Sequence, residues 1–173
     1  MDGASSIDAV AAAVEDESLD LGGMSSPDGA ITLVFTDVED PAKLEQRLDE
    51  ALPRLVDGHG GRVVKAEGNA SMCSFASSHA ALRCAIELQR RFAGQLRLGL
   101  HAGFVIADEA EFYGRNVVLA ARIADHARTG EILVSGAVAE YTRTDPSFQF
   151  EARGEQHFKG LLGEHGVFAV DWS

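Results

Sequence analysis

His59-Gly-Gly-Arg-Val-Val-Lys-Ala-Glu-Gly-Asn-Ala-Ser-Met-Cys-Ser-Phe75 reads as two short strands folded about a tight turn. The first strand, 62–66, carries Val63 and Val64, and the second, 71–75, carries Met72, Cys73 and Phe75. Such residues suit a pleated, half-buried surface. Between them Glu67-Gly-Asn-Ala70 offers a glycine and an asparagine, the residues that accept left-handed backbone angles in a hairpin turn. Upstream, the glycine-rich run 58–61 ends whatever helix precedes it.

Working outward, 30–36 is apolar and β-branched and reads as a central strand with Asp37 at its end. Leu44, Leu48, Leu52 and Leu55 recur at helical spacing between Pro41 and Asp57. Pro41 suits a first turn, whereas Pro53 is expected to kink or split this helix. Ser77 or Ser78 caps a second helix that runs to about Phe92, with Ala81, Ala85 and Leu88 on one face. A long strand over 96–106, a helix over 114–127, a strand over 131–135, a short helix over 136–143 and closing strands at 148–150 and 166–170 complete the chain. The order predicts an α+β domain with a ferredoxin-like βαββαβ core and extra α/β elements. Its helices are expected on one sheet face, with the other face left for a partner. Ahead of it, 1–29 reads as an appendage, with Ile7, Val10, Ala11 and Val14 on one face of a short helix over 6–16 and a glycine- and serine-rich linker at 22–29. The main domain is then 30–173.

Asp and Glu outnumber Lys and Arg by 27 to 15, a net charge of −12. A surface of that sign repels nucleic acid and anionic membranes, so neither is expected as a partner. The two cysteines, Cys73 and Cys84, form no zinc-binding pattern and read as small buried residues. No apolar run reaches transmembrane length and the first residues lack the features of a signal peptide, so the expected location is cytoplasmic.

Four segments together resemble the class III adenylate/guanylate cyclase catalytic domain. They are Leu33-Val-Phe-Thr-Asp-Val-Glu39, His59-Gly-Gly-Arg-Val-Val-Lys-Ala-Glu-Gly-Asn69, Arg97-Leu-Gly-Leu-His-Ala-Gly103 and Tyr113-Gly-Arg-Asn-Val-Val-Leu-Ala-Ala-Arg122. Gly130–Ser135 and Phe158–Leu161 follow in the same order. The resemblance implies cyclisation of a nucleoside triphosphate at a site shared by two subunits packed head to tail, assisted by Mg²⁺ or Mn²⁺. It places metal ligands at Asp37 and Asn69, base-reading residues at Lys65 and Glu111, a terminal-phosphate contact at Lys159, and a transition-state arginine at Arg122. Lys65 and Glu111 as donor and acceptor favour ATP.

Two positions depart from the family pattern. Asn69 stands where the second metal-binding carboxylate belongs, and a neutral amide offers a hard cation a weak ligand. Val118 stands where many members carry a ribose-orienting asparagine. The stretch between Asp37 and His59 is also shorter than the family leads one to expect. The expectation is a degenerate member with weakened metal binding and little or no cyclic AMP production. It would be kept for nucleotide binding, dimerisation with itself or another cyclase domain, or regulation of cyclic-nucleotide signalling. An active Mg/Mn-dependent adenylate cyclase and a purely structural interaction domain are the alternatives.

Overall fold

Strand β1 (Ala30–Val38) lies in the middle of the sheet and is buried along nearly its whole length. It belongs to a computed structural model that describes residues 6–17, 30–39, 41–104 and 113–173. In chain order the elements are α1 (Ser6–Glu17), β1, α2 (Pro41–Gly58), β2 (Arg62–Glu67), β3 (Ala70–Phe75), α3 (Ser78–Arg91) and β4 (Leu96–Phe104). A π-helical turn (Tyr113–Val117) follows, then α4 (Val118–His126), β5 (Ile132–Ser135), α5 (Gly136–Thr142), β6 (Phe150–Gln156) and β7 (His165–Val170). The described strands form one sheet in the order β2-β3-β1-β4-β5-β7-β6, antiparallel except where β4 meets β5. The first four of these strands, with α2 and α3, make the βαββαβ core, so the α+β fold class holds.

Alternation along the strands divides the core in two. Val34, Val38, Leu96, Leu98 and Leu100 point to the side where α2 and α3 bring Leu44, Leu48, Leu52, Leu82 and Leu88. Ile31, Leu33, Phe35 and Met72 point the other way, under α1 and α4. This corrects the expectation that helices cover one face only. On the second face α4 lies so close to β4 that a Cβ at Gly99 would come within 2.4 Å of the Ala124 amide nitrogen. Beside it, α1 buries Ile7, Val10 and Val14 completely against β1, β3 and α4.

Three local expectations meet their test here. Ser77 is the N-cap of α3, its hydroxyl accepting from the Ala80 amide at 3.1 Å. Pro53 does not split α2, which runs unbroken from Pro41 to Gly58. Pro53 and Asp49 are both exposed, so water can serve the carbonyl that the prolyl nitrogen cannot. Cys73 and Cys84 are buried and unpaired, and burial pushes each thiol up to about 12. They are packing residues with no thiolate to offer.

His101 ties β4 to two other elements. Its Nδ1 lies 2.9 Å from the Ser135 hydroxyl and its Nε2 lies 2.8 Å from Asn116 Oδ1. Since the Asn116 oxygen can only accept, Nε2 carries the proton and Nδ1 accepts from Ser135. Burial, against the pull of the Asn116 hydrogen bond, lowers the pKa of His101 to about 4. An unfolded histidine takes its proton near 6.5. Between pH 6.5 and about 4 the unfolded chain therefore binds more protons, and stability falls as pH falls through that window. The loss approaches about 3 kcal/mol by pH 4. Urea midpoints measured from pH 7 to pH 4 should decline more steeply for the wild type than for His101→Gln.

Candidate functional site

The site is assembled at the C-terminal end of β1. Antiparallel pairing sets Asp37 opposite Ala70 of β3 on one side and opposite Arg97 of β4 on the other. Asp37 is 4% exposed. Its Oδ2 accepts from the Arg97 guanidinium, while Oδ1 is buried without a hydrogen-bond partner among the described residues. A buried carboxylate oxygen left bare is costly unless something cationic meets it. A hollow of about 500 Å³ opens here, lined by Asp37, Glu39, Asn69, Arg97, Arg128 and Thr129 among others.

Asn69 sits at the tip of the β2–β3 hairpin. The left-handed residue of this turn is Gly68, at φ +61°, and Asn69 has an ordinary negative φ. Glycine alone supplies the left-handed angle, so the tolerance of asparagine for such angles is not used here. Its side chain is committed instead to two bonds. Nδ2 donates to the Val38 carbonyl at 2.7 Å, and Oδ1 accepts from the Ser6 hydroxyl of α1. The Val38 amide donates to the Asn69 carbonyl at 3.2 Å, which closes the end of β1 onto the hairpin.

These residues suit one divalent cation better than two. Asp37 has an anionic oxygen to give, as Mg²⁺ and Mn²⁺ require. Asn69 has no charge to give, and its one oxygen already accepts from Ser6. Among the described residues no cluster of three or more His, Cys, Asp or Glu side chains could hold a metal. The carboxylate pair of the family pattern is thus absent at these two positions.

Arg122 projects from α4 on the same sheet side as α1. Its Nη1 bonds the Asp8 carboxylate at 3.1 Å and lies 4.0 Å from Asp125, and its Nε donates to the Lys159 carbonyl at 3.3 Å. Lys159 meets Arg122 through that carbonyl, and the residue itself is exposed. Lys65 is half-buried on β2, opposite Met72 of β3 and just past a register shift. Val118 opens α4, and the carbonyl of the neighbouring Asn116 is turned inward to His101. Glu111 lies outside the described residues. Within one chain, then, Asp37 and Asn69 stand together, while Arg122 reaches Asn69 only across the first turn of α1.

Sequence reasoning missed four participants: Arg97, Arg128, Ser6 and Asp8. Arg97 was in a quoted motif, but its place opposite Asp37 follows from the β1–β4 register. Ser6 and Asp8 lie 63 and 114 residues from their partners, and no local signal marks such contacts.

Residues 24–170 match the family model described as the adenylate and guanylate cyclase catalytic domain. Uncharacterized protein Rv0891c of Mycobacterium tuberculosis is 30% identical over 129 residues, covering 66% of this chain and 45% of that protein. The Rhizobium meliloti protein named "Putative adenylate cyclase 3" is 30% identical over 141 residues, covering 75% of this chain and 24% of that one. The chain thus spans less than half the length of these curated relatives. Among solved structures, the adenylate/guanylate cyclase/hydrolase from Silicibacter pomeroyi superposes with a TM-score of 0.64 at 24% identity, covering 82% of this chain and 95% of that one. The adenylyl cyclase CyaB from P. aeruginosa gives a TM-score of 0.63 at 19% identity, covering 82% and 93%. At those identities the likeness speaks for the fold.

Proposed function

Because the chain belongs to the adenylate and guanylate cyclase catalytic-domain family, we propose that it is a degenerate member that binds a nucleoside triphosphate, ATP in preference, with weak or no conversion to cyclic AMP. One observation carries this reading: the second metal position holds Asn69, a neutral amide that donates to Val38 and accepts from Ser6. A divalent cation at Asp37 would draw charge from the triphosphate, but without a second anionic ligand the paired-cation arrangement of the family lacks half its support. Removing a few kcal/mol of transition-state stabilisation slows a reaction by roughly 10²–10⁴-fold.

The chain's own residues have definite roles in this proposal. Asp37 Oδ1 offers the anionic oxygen, with Arg97 balancing the other oxygen of the same carboxylate. Arg122 offers a guanidinium suited to phosphate oxygens. Lys65 and Glu111 read the base, and Lys159 touches the terminal phosphates. Self-association head to tail, or pairing with another cyclase domain, would bring the Arg122 half of one chain to the Asp37 half of its neighbour. The domain would then serve cyclic-nucleotide signalling through binding and assembly.

An active Mn²⁺-dependent adenylate cyclase is the second reading, favoured by the bare Asp37 oxygen and the retained Arg122. One assay separates them. Purified protein given ATP and Mn²⁺ should release little or no cyclic AMP above an Asp37→Ala control. Steady product that disappears in that control would establish the active enzyme.

A further inference from the structure

We infer that α1 is a cap, bound in cis, that masks Arg122 and closes over Asn69, so that it must leave before Arg122 can meet an anionic ligand. The inference rests on the nucleotide-site reading above and adds what holds the site closed. Two residues in the first turn of α1 touch the two side chains that matter. Ser6 donates its hydroxyl to Asn69 Oδ1, and Asp8 sets its carboxylate 3.1 Å from Arg122 Nη1. A carboxylate on a guanidinium is the bond that a phosphate oxygen would make there. Arg122 is 30% exposed and Asp8 34% exposed on their side chains, so this ion pair is open to exchange with solvent and ligand.

The remaining length of α1 supplies the hold. Ile7, Val10, Ala11 and Val14 lie against Ile31, Leu33, Phe35, Met72, Val117 and Ala121. Burial of apolar side chains of this kind is what keeps a short helix in place, since twelve residues alone are a marginal helix in water. At the end of the helix that meets Arg122 the charged residue is Asp8, an acid. A polyanionic ligand arriving beside it would be repelled. Ligand and cap therefore compete for Arg122, and any ligand with no affinity for the capped state draws the equilibrium toward the open one.

The test uses the full chain with Mn²⁺ and an ATP analogue whose α,β-bridging oxygen is replaced by methylene, so that no turnover intervenes. Calorimetry gives the affinity, and hydrogen exchange over 6–17 reports whether the cap is on. Val10→Asp puts a carboxylate into a position 0% exposed, which dislodges the helix. The Ser6→Ala/Asp8→Ala pair removes the polar contacts and leaves the apolar face covered, which guards against a variant that fails to fold. Val10→Asp should bind the analogue at least roughly tenfold more tightly than wild type, and the double variant about two- to fivefold. Wild-type amides over 6–17 should exchange faster when the analogue is added. Equal affinities with the helix demonstrably off would overturn the cap while leaving the nucleotide site standing. Weaker binding by Val10→Asp would also overturn it, because the helix would then be part of the binding surface. If no variant binds the analogue even with the helix off, the nucleotide-site reading falls and the cap falls with it.

Discussion

Replacing Asn69 by aspartate should lower the melting temperature of the metal-free protein by roughly 4–8 °C, and millimolar Mn²⁺ should restore it. The exchange turns a donor into an acceptor. The bond from Nδ2 to the Val38 carbonyl is lost, and a carboxylate oxygen is pressed against that carbonyl instead. A second negative charge also arrives near buried Asp37. Losing the bond and leaving the carbonyl short of a donor costs about 2 kcal/mol, and at this chain length each kcal/mol moves the midpoint by about 2–4 °C. The turn itself is not strained by the change, since Gly68 carries the positive φ. A cation held between residues 37 and 69 reverses the repulsion, and a ligand present at a hundred times its dissociation constant contributes about 2.7 kcal/mol. The wild type should respond much less to Mn²⁺. Turnover with ATP and Mn²⁺ should rise at least roughly tenfold in the variant if the missing carboxylate is what limits the chemistry. A variant whose midpoint ignores Mn²⁺ would show that these two positions do not share a cation.

Gly99→Ala should be among the most damaging single-methyl changes in the chain, costing about 3 kcal/mol or more. The added Cβ would lie 2.4 Å from the Ala124 amide nitrogen and 2.5 Å from its Cα, both backbone atoms that no rotamer change can move. Either β4 bends or α4 is pushed off the sheet. The second outcome also shifts Arg122, which rides on the same helix. Gly58→Ala is the matched control, because its Cβ would meet nothing within 4 Å. Urea denaturation should show a large fall in midpoint for the first variant and little change for the second. Comparable midpoints would mean that α4 sits farther from β4 than this packing requires.

Much of the fold was legible because it rests on short-range patterns. The apolar, β-branched run of 30–36, the Gly68-Asn69 turn and the leucine spacing in 44–55 each specify an element within a few residues. Pro53 misled, since its effect on a helix depends on whether water reaches the freed carbonyl, and that is a matter of which side of α2 faces out. The second helical layer was missed for a related reason. The apolar faces of α1 and α4 announce that they are buried, but not against which side of the sheet.

By itself the sequence determined the order of the elements, the βαββαβ core and the absence of a carboxylate at position 69, because residue type and spacing along the chain are enough to state them. Only the tertiary structure decided what the Asn69 amide does, that Arg97 neutralises half of Asp37, and that Ser6 and Asp8 close over Asn69 and Arg122. Each of those is a meeting of side chains far apart in the chain. Strand register and helix docking set such meetings, and local propensity carries no trace of them.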